Sequence, residues 1–63
     1  MTVKFYIFQR DDQTGKTRDR YLFKDERSEL AVGIRVKHMN TTYQVDSMEF
    51  IGKTLKAVCL EVP

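Results

Sequence analysis

Cysteine is nearly absent from this chain. Cys59 is the only one in 63 residues, so no internal disulfide can staple the fold. One Cys and one His, His38, fall short of the four N or S ligands of a structural zinc site, and no metal is expected. Tryptophan is missing, and the single proline is the last residue, Pro63. No apolar run approaches the roughly 18 residues that suggest a membrane span. No basic segment followed by an apolar one resembles an export signal. With the lone cysteine, this leads to the expectation of a cytoplasmic protein with no membrane partner. Neither sign of charge dominates: eleven Lys and Arg against nine Asp and Glu leave +2. That balance permits a nucleic-acid partner without the basic tail that would demand one.

Recognised catalytic patterns are lacking too. There is no Gly-x-Ser-x-Gly, no phosphate-binding Gly-rich loop and no His-Glu-x-x-His. The acidic pairs Asp11-Asp12 and Asp25-Glu26 fall in a turn and a connector, where solubility and capping explain them. A chain of this length buries only about 60% of its unfolded surface, which leaves little depth for a sequestered site. The expectation is a single domain over 1–63, not an enzyme, with no cofactor and no small-molecule substrate.

What is present is alternation with a period of two. Residues 3–8, VKFYIF, and 17–24, TRDRYLFK, are aromatic and β-branched strands around the turn Asp11–Lys16. A three-residue loop at Gln13-Thr14-Gly15 pairs Ile7 with Tyr21 and Phe5 with Phe23. Val3, Phe5, Ile7, Tyr21 and Phe23 then share one face. Tyr6, Phe8 and Leu22 share the other with Lys4, Arg20 and Lys24. A register slipped by one residue instead pairs Arg10 with Asp19 and Asp11 with Arg18; charge complementarity favours that alternative, but the suitability of Gly15 for the three-residue turn decides for the first register. Residues 25–32, DERSELAV, hold at most one short helical turn near 25–31, and an irregular crossover fits them as well.

The stretch Gly33–Phe50 has the clearest pattern. Ile34, Val36 and His38 alternate with Arg35 and Lys37, and beyond a polar turn Tyr43 and Val45 alternate with Gln44 and Asp46. With Asn40-Thr41 at the tip, His38 faces Tyr43, Val36 faces Val45, and Arg35 faces Asp46. After Val45 the phase changes, so an extra residue near Asp46-Ser47, a β-bulge, is needed to keep Tyr43, Val45, Met48 and Phe50 on one face. Gly52-Lys53 suits a two-residue type II′ turn, which sets Phe50 against Leu55, Glu49 against Lys56 and Met48 against Ala57. The fifth strand spans Thr54–Val62. The glycine, basic alternating strand, polar turn and Tyr-x-Val strand of Gly33–Val45 resemble the middle hairpin of SH3-like modules, over about a fifth of the chain. The expected fold is a small five-stranded antiparallel barrel, SH3-like, with an OB-like barrel as the alternative.

Three surfaces are candidates for function. Tyr6, Phe8, Arg20 and Lys24 interleave rings with cations, as β-platforms that stack bases and neutralise phosphates do, unless Leu30 and Val32 fold over them as a lid. Arg35 and Lys37 form a cationic strand face, offset by Asp46 in the bland reading. Val58, Leu60 and Val62 form an apolar stripe on the fifth strand that either turns inward or is covered by a protein partner, such as a homodimer through strands 1 and 5. His38 beside Tyr43 is read as a packing pair and Cys59 as a small buried hydrophobe.

Overall fold

The computed structural model describes residues 1–63 and has five strands and no helix: β1 (Thr2–Arg10), β2 (Thr17–Glu26), β3 (Arg35–His38), β4 (Thr41–Ile51) and β5 (Thr54–Val62). They form one curled sheet in the order β2-β1-β5-β4-β3, a half-barrel of the small SH3-like or OB-like kind. The expected all-β, five-stranded class holds, with one pairing different in kind. β1 and β5 run parallel, from Thr2 against Thr54 to Ile7 against Cys59. Alternation assigns each residue to a face but carries no information about which strand lies alongside, so the sequence could not show this. The pairing also places strands 1 and 5 at the centre of the sheet. Neither is an edge through which two copies could join; the free edges are β2 and β3.

The inner face of the curl holds the core. Val3, Phe5 and Ile7 of β1 lie beside Leu55, Ala57 and Cys59 of β5, and Val45, Tyr43 and Val36 complete the nine buried residues. Leu22, Phe23, Leu30 and Met48 pack against this cluster. The open seam between β2 and β3 is bridged by side chains: Phe23 stacks on Phe5 at 4.6 Å on one hand and on His38 at 4.2 Å on the other. His38 is therefore a packing residue, but its partner ring is Phe23, not Tyr43.

The reason is a shift of two in the central hairpin. His38 pairs with Thr41, Val36 with Tyr43 and Arg35 with Gln44. The loop is Met39-Asn40, with φ of 49° and 67°, the left-handed pair of a type I′ turn whose twist matches that of the strands. An even shift keeps every residue on its expected face while changing its partner. The bulge expected near Asp46-Ser47 is present: the pairing steps from Val45–Cys59 to Ser47–Val58, and Met48–Ala57, Glu49–Lys56 and Phe50–Leu55 follow as expected. Gly52 has φ 63° while Lys53 is not left-handed, as a type II′ turn requires.

The first hairpin departs further. Asp11 and Lys16 close a four-residue loop, with the Asp11 amide donating to the Lys16 carbonyl and the Gly15 amide to the Asp11 carbonyl. The Asp11 carboxylate also accepts the Gln13 amide at 2.8 Å, which favours this longer loop over the three-residue one. The extra loop residue shifts the register by one, and a bulge at Leu22 shifts it back. Phe5 pairs with Phe23 as expected, but Tyr6 pairs with Tyr21 and Ile7 with Arg20. Residues 27–34 form an irregular crossover. Arg27 continues the ladder by exchanging backbone hydrogen bonds with Met1, which leaves it unavailable for a helical turn. A type II turn at Val32-Gly33 then brings the chain into β3, with the Ile34 amide donating to the Ala31 carbonyl and Gly33 at φ 95°.

Burial pushes the Cys59 thiol pKa up from 9.0 to about 11, with a smaller contribution from the Asp46 carboxylate. The thiol is fully buried between Ile7 and Val45. The folded state therefore keeps a proton that the unfolded chain loses. Stability from this source is complete below about pH 9 and falls, by an amount on the order of 2 kcal/mol, as pH rises toward 11. Native protein at pH 8 should react with a thiol-specific disulfide reagent far more slowly than protein in denaturant. Equal rates would show that Cys59 is accessible.

Candidate functional site

The outer face of the sheet follows from the same registers. Side chains at even positions of β1 and β5 point away from the core: Lys4 beside Lys56 and Tyr6 beside Val58, with Phe8 and Leu60 beyond the last pair on the same face. Two sequence-level surfaces thus become one. Tyr6 lies abreast of Val58, so the aromatic patch and the apolar stripe are continuous across the parallel pair. Leu60 is opposite Gln44 and Val62 opposite Thr42, and Arg35 and Lys37 pair with those same two residues from β3. Arg35 Nε donates to Gln44 Oε1 at 3.4 Å.

The bulge at Leu22 changes the membership of this face. Arg20, opposite Ile7, and Leu22, packed on the core, belong to the inner side, so both leave the expected patch. Tyr21 joins it, meeting Tyr6 edge-to-face at 5.6 Å, and Lys24 stays. Three consecutive apolar residues, Tyr21-Leu22-Phe23, are the signal that was available: uninterrupted apolar character inside an alternating strand is what a bulge leaves in a sequence. The expected lid does not cover the rings. Leu30 packs on the inner core, Val32 is exposed, and Phe8 and Tyr21 are 45% and 49% exposed.

Three lysines lie abreast on adjacent strands: Lys24 opposite Lys4, and Lys4 beside Lys56. Like charges directly opposite on a sheet repel, so Lys4, flanked on both sides, is the least favourably placed of the three. Lys56 is partly compensated. Its Nζ is 3.0 Å from Asp19 Oδ2 and 4.9 Å from the centre of the Tyr6 ring. The hydrogen bond to Asp19 raises its pKa above the ordinary lysine value, against a smaller lowering by desolvation, so it remains an ammonium. Lys4 and Lys24 have no carboxylate within 4.0 Å, and neither do Arg35 and Lys37. The lysine row runs one pleat from the Tyr21–Tyr6–Val58 row, and a shallow depression of about 150 Å³ between Lys4, Tyr6 and Lys56 opens toward Ile51 and Thr54.

This arrangement presents flat rings and unneutralised ammonium groups side by side on a solvent-facing surface. It can stack planar groups and attract anions. No three His, Cys, Asp or Glu side chains converge as metal ligands would. No helix is long and apolar enough to cross a membrane. Comparison of the chain with family models, with characterised proteins and with solved structures returns no match.

Proposed function

We propose that this chain is a cytoplasmic, non-enzymatic binding module that takes single-stranded nucleic acid, free or within a ribonucleoprotein, on its outer face. The lysine row Lys24–Lys4–Lys56 carries the reading. Lys4 and Lys24 face each other with no carboxylate within 4.0 Å, so neutralising either would relieve repulsion, whereas a phosphate backbone turns that repulsion into attraction. Tyr6, Tyr21 and Phe8 supply stacking surface for bases, each worth about 1–3 kcal/mol per stacked base. Arg35 and Lys37 extend the cationic area toward β3. Arg20 stands apart from this face and has no part in the stacking surface.

A fluorescence-anisotropy titration with labelled twelve-nucleotide dT and rU strands at low salt tests the proposal. Tyr6→Ala with Phe8→Ala should weaken binding by about thirtyfold or more, from two lost stacking platforms. Lys4→Gln with Lys24→Gln should flatten the slope of log affinity against log salt by about 1.4, while raising stability slightly as the repulsion is relieved. No binding, or binding that ignores both pairs of substitutions, would sink the proposal.

The same face favours one other reading, a protein interface. Leu60 is 45% exposed beside half-buried Val58 and Val62, an apolar stripe that a partner or a second copy would cover. Light scattering on the eluting protein separates the two readings: a dimer that Leu60→Glu dissociates assigns the stripe to self-association. The β2 edge is a poorer candidate for strand addition, because Arg18, Asp19, Arg20, Lys24, Asp25 and Glu26 crowd it with charge and the Leu22 bulge breaks its regularity.

A further inference from the structure

The β1–β2 hairpin outruns the rest of the sheet. Pairing of β1 with β5 stops at Ile7, so Phe8–Arg10 and Thr17–Asp19 form a two-stranded arm with a four-residue tip. A ribbon of this kind has no core of its own, and residues 10–20 are all exposed. The arm nevertheless encloses an open depression of about 680 Å³, lined by Gln9, Arg10, Asp11, Thr14, Lys16, Thr17 and Arg18, with no apolar residue among them. Ligand pockets for drug-like molecules are mostly apolar, so this one does not suit them.

We infer that the depression is a phosphate site at the end of the outer face. Its cations are free: none of Arg10, Lys16 and Arg18 has a carboxylate within 4.0 Å. Its one lining carboxylate is already engaged, with Asp11 Oδ1 accepting the amides of Gln13 at 2.8 Å and Thr14 at 3.4 Å. Asp12 lies outside the lining. The Arg10 guanidinium reaches over the loop, 4.0 Å from where a β-carbon on Gly15 would sit, and Gly15 is held at φ 72°. Two guanidinium groups and an ammonium line it, Arg10 from the side of the ribbon that carries Phe8 and Lys16 and Arg18 from the other side, and such groups suit the tetrahedral oxygens of a phosphate, with bidentate contacts from arginine. Thr17 and the Gln9 amide offer further donors.

Placement ties one of its cations, Arg10, to the outer face. Arg10 follows Phe8 by two positions on the same side of β1, about 6.6 Å along the strand. A strand whose base stacks on Phe8 would meet the arm with its next phosphate. The phosphate site itself does not depend on the outer-face reading; its occupation by a nucleic-acid strand does.

The test is a titration of ¹⁵N-labelled full-length protein with sodium pyrophosphate, against sodium chloride at matched ionic strength, followed by amide shifts. Saturable shifts confined to residues 9–18 are expected with pyrophosphate alone, and Arg10→Gln with Arg18→Gln should weaken them about tenfold or more. Shifts that are absent, equally produced by chloride, or indifferent to the double substitution overturn the site. In a parallel arm with the twelve-nucleotide strands, the same double variant should flatten the salt slope by about 1.4 if strand phosphate is the ligand. Pyrophosphate saturation without strand binding would support the phosphate site, assign it to free phosphate compounds and count against the outer-face reading alone. Strand binding with no phosphate response would do the reverse.

Discussion

Phe5→Ala is expected to destabilise the protein by about 3–5 kcal/mol, while Phe8→Ala, three residues along the same strand, leaves stability nearly unchanged. Phe5 is the largest fully buried side chain and Phe8 is 45% exposed on the opposite face. Truncating a buried phenylalanine costs about 3–5 kcal/mol through lost transfer energy and the cavity left behind. A 63-residue domain has about 3–9 kcal/mol in total, so the loss takes at least about a third of it and, toward the low end, all of it. The expected cost lies toward the upper end, because Phe5 also supports the stack through Phe23 to His38, the aromatic bridge across the seam between β2 and β3. Urea titration followed by far-ultraviolet circular dichroism would measure both variants. A Phe5→Ala protein within about 1 kcal/mol of wild type would show that the core does not lie on this face.

Deleting Asp46 should be as damaging as Phe5→Ala, although its side chain is exposed. Asp46 is the extra residue of the β4 bulge, between the Val45–Cys59 and Ser47–Val58 pairs. Without it one side of the strand must turn over. Either Met48 and Phe50 exchange places with Ser47 and Glu49, or Tyr43 and Val45 leave the core for the outer face. The first exchange directs Glu49 inward, where an unpaired charge is strongly disfavoured, and the second removes two of the nine core residues. Asp46→Ala keeps the residue count and should change stability by no more than about 0.5 kcal/mol. The contrast is the informative part: a deletion as mild as the substitution would mean that the bulge does not set the register.

The parts of the fold that could be read from the sequence are those where a local pattern admits one solution. From Tyr43 to Ala57 the change of phase after Val45, the Gly52-Lys53 turn and the pairing of Glu49 with Lys56 all constrain one another, and the structure has them. At the first hairpin the constraints were separable. The loop gained a residue through the Asp11 cap and Leu22 absorbed it, so two offsetting irregularities hid behind a register that holds only from Thr2 to Phe5. The central hairpin slid by two at no cost to its faces, because Met39-Asn40 made the tighter type I′ turn.

The candidate site shows the same division. Tyr6, Phe8, Lys24, Arg35, Lys37, Val58, Leu60 and Val62 were each assigned to an outward position by alternation alone, and each has it. Their gathering on one surface depended on the parallel β1–β5 pair, a long-range choice that no local pattern encodes. The lysine row was hidden for that reason: Lys56 becomes a neighbour of Lys4 only through that pair. Arg20 was misplaced and Tyr21 missed because of one bulge.

Binding on the outer face is tested by amide and side-chain shift mapping of the ¹⁵N-labelled protein during titration with a twelve-nucleotide single strand at low salt. The expected result is perturbation of Lys4, Tyr6, Phe8, Tyr21, Lys24, Lys56 and Val58, spreading toward Leu60 and Arg35, with the inner core at Val3, Ala57 and Val45 unmoved. A strand that produces no shifts, or shifts confined to the β2 edge or to the inner face, would contradict it.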